Sequence, residues 1–200
     1  MRKKQAFTLI ELLIVVAIIA ILAAIAVPNF LEAQTRSKVS RVHSDMRSIA
    51  TALESYATDN NRAPLGEGEA SILFGTPAGV DREFKRLWCF SHLTTPIAYM
   101  TSIPTDPFNP QNQGTGSREG GKFYAYDTSY AKQNAWMARA FAQGLFWGLE
   151  SRGPGRDIYT YSNAIRNVID PNAINSIYDA TNGTVSRGVI IRTNFGIKNQ

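Results

Sequence analysis

The residue whose type and position most clearly imply chemistry is Glu11, because it is the single charged residue in a long apolar stretch. Residues 12–27 are sixteen consecutive apolar residues, and residues 7–10 ahead of Glu11 carry no charge. A carboxylate one turn into such a helix is costly to keep in lipid, so it is by default functional and needs a partner. Glu11 is therefore the first candidate functional residue.

The rest of the sequence offers few residues that could act as nucleophiles or metal ligands. The single cysteine is Cys89 and the two histidines are His43 and His92, which excludes an intrachain disulfide framework and a multi-cysteine zinc site. Cys89 and His92 are three residues apart, but we interpret Cys89 as a buried thiol near a helix end. His43 is expected to be solvated. The sequence has no phosphate-binding loop, dinucleotide fingerprint, zincin motif or nucleophile elbow, so we predict no enzyme activity.

The charge distribution argues against nucleic-acid binding. The 200 residues carry a net charge of +5, and three of the 21 basic residues are Arg2, Lys3 and Lys4. The remainder is nearly neutral and its basic residues are scattered, so we expect no nucleic-acid partner. Five aromatic residues are expected to lie in a core rather than to stack on bases, namely Trp88, Trp136, Phe141, Phe146 and Trp147.

The apolar segment is long enough to span a membrane. Residues 7–27 are 21 residues, which as a helix reach about 32 Å. Eleven of the sixteen residues in 12–27 are Leu, Ile or Val, and together they favour insertion by about 3–7 kcal/mol. The basic residues before the segment predict a cytoplasmic amino terminus. Three alternatives are a secretory signal peptide with its exit at residues 24–26, a plain single-pass anchor, and a buried helix of a soluble protein. The last is disfavoured because the segment is apolar on every face.

Residues 6–13, AFTLIELL, preceded by a short basic leader, resemble the class III signal of type IV pilins and type II secretion pseudopilins. The resemblance implies that a prepilin peptidase cleaves between Ala6 and Phe7 and methylates the new amine of Phe7. Glu11 would then be the fifth mature residue. Ala6 stands where the family usually has glycine. The match covers residues 1–30 closely.

The new amine of Phe7 is the natural counter-charge for Glu11. A carboxylate and an amine from neighbouring subunits would each remove the other's desolvation penalty, and only in one register. Glu11 is therefore predicted to form an assembly salt bridge that sets how subunits align. Small residues in the same segment allow the bundled helices to approach closely.

The helix is predicted to continue beyond the membrane. Pro28 lacks the N–H that a helix interior needs, so we expect a kink near it. After it, apolar residues recur at helical spacing and form a stripe that packs on the protein's own head. A continuous helix over residues 7–59 would be about 80 Å long. The residues of the stripe are Val39, Val42, Met46, Ile49, Leu53 and Tyr56.

These features predict an α+β, pilin-like fold, with a long amino-terminal helix packed on a small antiparallel sheet. The predicted divisions are a leader (1–6), a transmembrane and filament-core helix (7–28), its amphipathic continuation (29–61) and a globular head (62–200). Within the head we predict a helix over 81–93 with Phe84, Leu87, Trp88 and Leu93 facing inward. Strands are predicted at 123–126, 145–149 and 157–161, with a hairpin at 181–184 and a last strand at 189–192.

Calcium is the one cofactor that the resemblance raises, because major pseudopilins that resemble this chain bind it in a loop near the end of the sheet. The corresponding residues, 151–157, contain Asp157 as their single carboxylate, beside Arg152 and Arg156. Calcium needs about 6–8 oxygen ligands, and Asp170 and Asp179 are the further candidates. We predict no cofactor and assign no metal site, and calcium stays an alternative.

The sequence therefore predicts a structural subunit of a type II secretion pseudopilus that supports protein secretion across the outer membrane. The alternatives are a type IV pilin for adhesion, motility or DNA uptake, and a signal-anchored periplasmic enzyme or binding protein. The implied partners are other copies of the chain, the prepilin peptidase, an inner-membrane assembly platform, minor pilins and the lipid bilayer. The precursor is expected in the inner membrane, and the assembled filament in the periplasm or at the cell surface.

Overall fold

The fold is a long helix packed on a small antiparallel sheet, as the sequence predicts. The computed structural model describes residues 7–74, 82–109, 122–130, 135–155, 168, 177–179 and 188–198. The elements in chain order are α1 (Leu9–Asn60), α2 (Glu67–Leu73), α3 (Arg82–Ser91), β1 (Ala125–Thr128), α4 (Ala135–Ala142), β2 (Trp147–Ser151), β3 (Ile190–Thr193) and β4 (Gly196–Lys198).

The carboxyl-terminal half of α1 supplies one side of the core. The predicted stripe is confirmed from Val39 to Leu53, and Tyr56 at its end is partly buried. Because the stripe recurs every three or four residues, it keeps one helix face against the sheet. Each fully buried side chain of this size contributes about 1.5–3 kcal/mol. The same core cluster contains Tyr124, just before β1, and the sheet residues Tyr126, Trp147, Leu149 and Ile190.

Both ends of α1 have recognisable caps. The side chain of Thr8 caps the first turn, and Asn61 ends the helix in the left-handed conformation, with φ of 57°. The helix runs without interruption through Pro28. Pro28 therefore does not end the helix, whereas the kink at Pro28 stays a prediction, as do the predicted segment boundaries.

The four strands pair in chain order, and every neighbouring pair is antiparallel. Strands β1 and β2 each lie two residues later than the sequence predicts. The prediction that the strand over 189–192 is the last was wrong, because β4 follows it. Thr193 stabilises the turn between β3 and β4, since its hydroxyl accepts a hydrogen bond from the Phe195 amide at 3.2 Å. The predicted strand 157–161 and hairpin 181–184 lie outside the described residues.

Helix α3 faces the core with a different side from the one predicted. Phe84 and Leu87 were expected to point inward, but they are 53% and 45% exposed. Arg86, Cys89 and Phe90 are fully buried instead. The physical reason is the ion pair between Arg86 and Glu67 of α2. A buried guanidinium needs a carboxylate beside it, so the side of α3 that carries Arg86 turns toward α2 and the core. Leu93 is buried as predicted, and Trp88 is partly buried.

The aromatic and histidine predictions have mixed outcomes. Trp147 is in the core, whereas Phe146 is 37% exposed and stacks on Tyr130 with ring centroids 5.9 Å apart. The Trp136 side chain lies outside the described part. His43 is half-buried rather than solvated, because it lies one helical turn from both Val39 and Met46 of the buried stripe. Burial and the positive charges of Arg47 and Arg192 lower the pKa of His43.

A buried ionic cluster joins α2, α3 and β1. The Nε atom of Arg86 donates to Glu67 Oε1 at 2.6 Å, and its Nη1 donates to the Phe123 carbonyl at 3.0 Å. Glu69 accepts hydrogen bonds from the Gly66 amide at 2.9 Å and from the Thr128 hydroxyl at 2.6 Å. The cluster therefore fixes the short helices on the edge of the sheet.

Asp127 on β1 lies beside this cluster, where it accepts a hydrogen bond from the Gly68 amide at 3.2 Å, and it should respond to pH. Burial and the nearby charge of Glu67 raise its pKa to about 8, compared with about 3.9 in an unfolded chain. The native state therefore keeps a proton that the unfolded state has lost between these values. It follows that the free energy of unfolding decreases as the pH rises from about 4 to about 8.

We expect Asp127→Asn to stabilise the protein at pH 8 by about 1–2 kcal/mol, because an amide cannot ionise and still accepts the Gly68 amide hydrogen bond. Denaturant titrations of both proteins at pH 5 and pH 8 would measure this, and the variant should show the smaller difference between the two pH values. Asp59→Asn, which neutralises an exposed carboxylate, is the matched control. An unchanged pH dependence in Asp127→Asn would contradict the assignment.

Candidate functional site

The amino-terminal half of α1 is an apolar surface that the described part of the chain leaves uncovered. The large apolar side chains from Phe7 to Leu31 are between 45% and 76% exposed. Among the described residues, α1 is the one helix long and apolar enough to cross a membrane, with a mean hydropathy of 3.1 over its most apolar window. This surface therefore needs lipid or other helices around it.

Glu11 lies at the start of this surface and is held by its own subunit through one carboxylate oxygen. Its Oε2 atom accepts a hydrogen bond from the Thr8 amide at 2.9 Å and another from the Thr8 hydroxyl at 2.8 Å. The Thr8 hydroxyl in turn accepts from the Glu11 amide at 3.3 Å. The other oxygen, Oε1, accepts no hydrogen bond from any described residue, so it is open to a donor from outside.

This cap is the part of the site that sequence reasoning missed. Thr8 and Glu11 are three residues apart immediately before an apolar run, which is the pattern of a capping box. The pattern was available in the sequence and would have given Glu11 an intrasubunit role beside its predicted intersubunit one. The two roles are compatible because they use different carboxylate oxygens.

The structure places the other predicted site residues along the same helix. Phe7, whose amine cleavage would release, is 73% exposed and lies one residue before the cap. Ala6 lies outside the described residues. Pro28 lies 17 residues beyond Glu11, or about 25 Å along the helix axis, so the two act at opposite ends of the apolar segment. The cleavage, methylation, salt-bridge and kink assignments stay predictions.

The interpretation of Cys89 as a buried thiol is confirmed, since the side chain is fully buried. Burial, with the charge of Glu67 as the next contribution, raises the pKa of this thiol far above its usual range. His92 Nδ1 lies 3.1 Å from the Trp88 carbonyl and 3.3 Å from the Cys89 carbonyl. The imidazole therefore contacts the carboxyl-terminal end of α3 through its backbone, and the thiol has none of the properties of a nucleophile.

The described residues include only part of the candidate calcium site. Asp157 and Asp170 lie outside them, and within them no group of three or more His, Cys, Asp or Glu side chains could hold a metal ion. The buried carboxylate of Asp106 contacts the first two residues of this loop. It accepts hydrogen bonds from the Ser151 hydroxyl at 2.9 Å and from the Arg152 amide at 3.1 Å. Calcium binding stays an untested alternative.

Comparison with known proteins decides the family. The family model described as a prokaryotic N-terminal methylation motif matches residues 1–27. The type II secretion system core protein G of Pseudomonas aeruginosa is 31% identical over 132 residues, which cover 60% of this chain and 89% of that protein. The chain belongs to the family of type IV pilins and type II secretion pseudopilins. This family consists of structural subunits whose amino-terminal motif is a processing signal.

Other members of the family match over shorter regions. The type IV major pilin protein PilA of Myxococcus xanthus is 50% identical over 60 residues, which cover 30% of this chain and 27% of that protein. The type IV wide pilus major component PilA4 of Thermus thermophilus is 49% identical over 83 residues, which cover 40% of this chain and 63% of that protein. No solved structure matches the chain significantly.

Proposed function

We propose that the chain is a pseudopilin of a type II secretion system, cleaved before Phe7 and polymerised into a pseudopilus. The observation that carries this proposal is the extent of the core protein G alignment, which includes 89% of that protein, and so reaches well beyond the amino-terminal helix. The match to the Myxococcus pilin includes only 27% of that protein. Sequence similarity to core protein G that extends into the head therefore favours the secretion branch of the family.

The exposed apolar half of α1 supports the proposed assembly route. The precursor is held in the inner membrane by this helix, with its amino terminus in the cytoplasm and its head in the periplasm. After cleavage the same helix enters the filament core, where helices replace lipid as its neighbours. The partners in this route are other copies of the chain, the prepilin peptidase, an inner-membrane assembly platform and minor pilins.

The position of Glu11 supports the proposal that a specific ion pair aligns neighbouring helices in the filament. Its open Oε1 atom is the acceptor for the amine of Phe7 in a neighbouring subunit, while Oε2 stays on Thr8. Because both groups lie in an apolar environment, each would be costly to leave unpaired. The pair forms at one alignment of the two helices, so it selects that alignment over its neighbours.

Mass spectrometry of the mature amino terminus tests the first step. We expect a chain that begins at Phe7 with a methylated amine. A chain that begins near Val27 would indicate a secreted protein, and one that begins at Met1 a plain anchor; either result contradicts the proposal.

Gene deletion then separates the two branches of the family. We expect loss of secreted proteins from the medium with normal twitching motility and DNA uptake, and complementation by the intact gene should restore secretion. The second candidate, a type IV pilin, is favoured by the high identity of its amino-terminal match, and it predicts the opposite phenotype.

A further inference from the structure

A groove lies between the carboxyl-terminal part of α1 and the far end of the sheet. Its volume is about 600 Å³, and small-molecule sites commonly have about 300–1,000 Å³. One wall is α1 over residues 50–58, and the other is formed by Phe146, Trp147 and residues 192–196. We call it the α1–hairpin groove. Its size fits a small molecule, so the side chains that line it decide which one.

Two hydrogen-bond donors of the α1–hairpin groove have no acceptor among the described residues. Arg192 is partly exposed and forms no hydrogen bond or ion pair with them. Its Nε atom is buried, so the donors that a ligand could reach are on the two terminal nitrogen atoms. The hydroxyl of Tyr130 accepts a hydrogen bond from the Ala63 amide at 3.3 Å, and its own proton has no described acceptor. The groove therefore needs a ligand that accepts hydrogen bonds.

The groove also has acceptors without a donor. Glu54 Oε1 accepts a hydrogen bond from the Trp147 indole at 3.0 Å, whereas Oε2 accepts none from any described residue. The hydroxyls of Thr51 and Ser55 donate to backbone carbonyls one turn earlier on α1, at 3.1 and 2.9 Å. These hydroxyls can therefore offer a ligand only their lone pairs. The ligand must donate hydrogen bonds as well as accept them.

This combination selects a neutral, hydroxyl-bearing ligand. A carboxylate only accepts hydrogen bonds and would be repelled by Glu54, and an ammonium group only donates them and would be repelled by Arg192. Glu54 and Arg192 line the same groove without forming an ion pair with each other. A hydroxyl group both donates and accepts, so a molecule with several hydroxyls can satisfy both ends of the groove.

An exposed aromatic ring in the groove narrows the choice to a sugar. Phe146 is 37% exposed, and its ring lies parallel to that of Tyr130 with an angle of 2° between them. Phe141 packs edge-on against both rings, so the position of the Phe146 ring is fixed. Aromatic rings attract C–H groups placed over their faces. A sugar ring has such C–H groups on its faces and hydroxyls at its edges.

We propose that the α1–hairpin groove binds a saccharide. Phe146 packs against the C–H face of a sugar ring, while Glu54, Arg192 and Tyr130 form hydrogen bonds with its hydroxyls. This inference goes beyond the proposed function, which assigns no ligand to the head. If the head lies in the periplasm, as proposed, the saccharide could come from the cell wall or from an exported polysaccharide. Both sources have the chemistry that the groove requires.

Saturation-transfer NMR titrations of the full chain in a sugar-free detergent test the inference. The probes are N-acetylchitotriose, which carries the N-acetylglucosamine units of the cell wall, and maltotriose, which represents a neutral glucan. We expect at least one of them to bind with a Kd of about 1 mM or tighter, and the tighter probe identifies the source. Absence of saturation transfer to both probes at about 10 mM would overturn the inference.

Two substitutions show whether the saccharide occupies the groove. We expect Phe146→Ala to weaken binding about tenfold and Phe146→Tyr to retain it, because tyrosine keeps the ring. Glu54→Gln should also weaken binding about tenfold, since it removes a charge-assisted hydrogen bond but keeps an oxygen for the Trp147 indole. Phe84→Ala is the matched control, because Phe84 is 53% exposed but lies on α3, outside the groove.

The remaining outcomes separate this inference from the proposed function. Binding that is unchanged in both Phe146→Ala and Glu54→Gln would place the saccharide elsewhere and contradict the inference. If these variants reduce filament yield and the wild-type chain binds neither probe, the groove is a contact between subunits and the inference alone is wrong. The titration requires no filaments, so a failure of processing or assembly would contradict the proposed function without changing its result.

Discussion

Glu11→Gln is expected to abolish filament assembly while leaving membrane insertion unchanged. Glutamine fits the third helical position of a capping box as glutamate does, so the cap on Thr8 is retained. The substitution removes the negative charge alone, which lowers the cost of keeping this side chain in lipid. The variant therefore lacks the negative charge that is proposed to pair with the Phe7 amine of a neighbouring subunit. Glu11→Ala should give the same loss of assembly.

Membrane fractionation and electron microscopy of sheared filaments would measure insertion and assembly separately. Thr8→Val is the matched control, because it removes the hydroxyl of the cap but leaves the Glu11 carboxylate and its charge. Loss of this hydroxyl costs about 1 kcal/mol of helix stability, and assembly should persist. If Thr8→Val fails to assemble as completely as Glu11→Gln, the capping role rather than the intersubunit pair explains Glu11. Normal assembly of Glu11→Gln would exclude the pair.

Arg86→Met is expected to lower the free energy of unfolding of the head by about 3–5 kcal/mol. The guanidinium is fully buried and the Glu67 side chain is only 13% exposed. Removing the cation therefore leaves a carboxylate in a poorly solvated site and also takes a donor from the Phe123 carbonyl. A loss of this size is a large part of the 5–15 kcal/mol that typically stabilises a domain. Denaturant titration of the full chain in detergent would measure it.

A second substitution shows whether charge or packing causes the loss. Adding Glu67→Gln to Arg86→Met removes the unpaired carboxylate, so the double variant should be more stable than Arg86→Met alone. Arg62→Met is the matched control, because Arg62 contacts Glu69 at 3.3 Å but its side chain is 47% exposed. Because Arg62 is largely solvated and Glu69 keeps its hydrogen bonds from Gly66 and Thr128, we expect its loss to cost less than that of Arg86. Equal losses for Arg62→Met and Arg86→Met would contradict the importance of burial.

The long helix and its buried stripe could be predicted because their signals are local. An apolar run without charges and a later repeat of three and four residues each specify a helix, whatever the rest of the chain does. Helix α3 shows where this fails. Its sequence offers two faces, one with Phe84 and Leu87 and one with Arg86 and Phe90. The carboxylate of Glu67 on another helix decides which face is buried, and no periodicity contains that information.

The same distinction applies to the candidate site. The importance of Glu11 could be predicted because a charge within an apolar run is visible in the sequence. Its capping box with Thr8 is also a local sequence pattern, and so was equally predictable. Strand β4 was missed because its three residues are too few to show an alternating pattern.

The uncovered half of α1 has a thermodynamic consequence for the finished polymer. Hydrocarbon chains and the apolar side chains of adjacent subunits are similar solvents for this surface. A subunit that leaves the bilayer for the growing fibre therefore exposes little new apolar area to water, and the exchange has no large hydrophobic driving force in either direction. Elongation must then draw its direction from polar contacts and from outside work. By the same reasoning, subunits released from the base can return to the membrane and be used again.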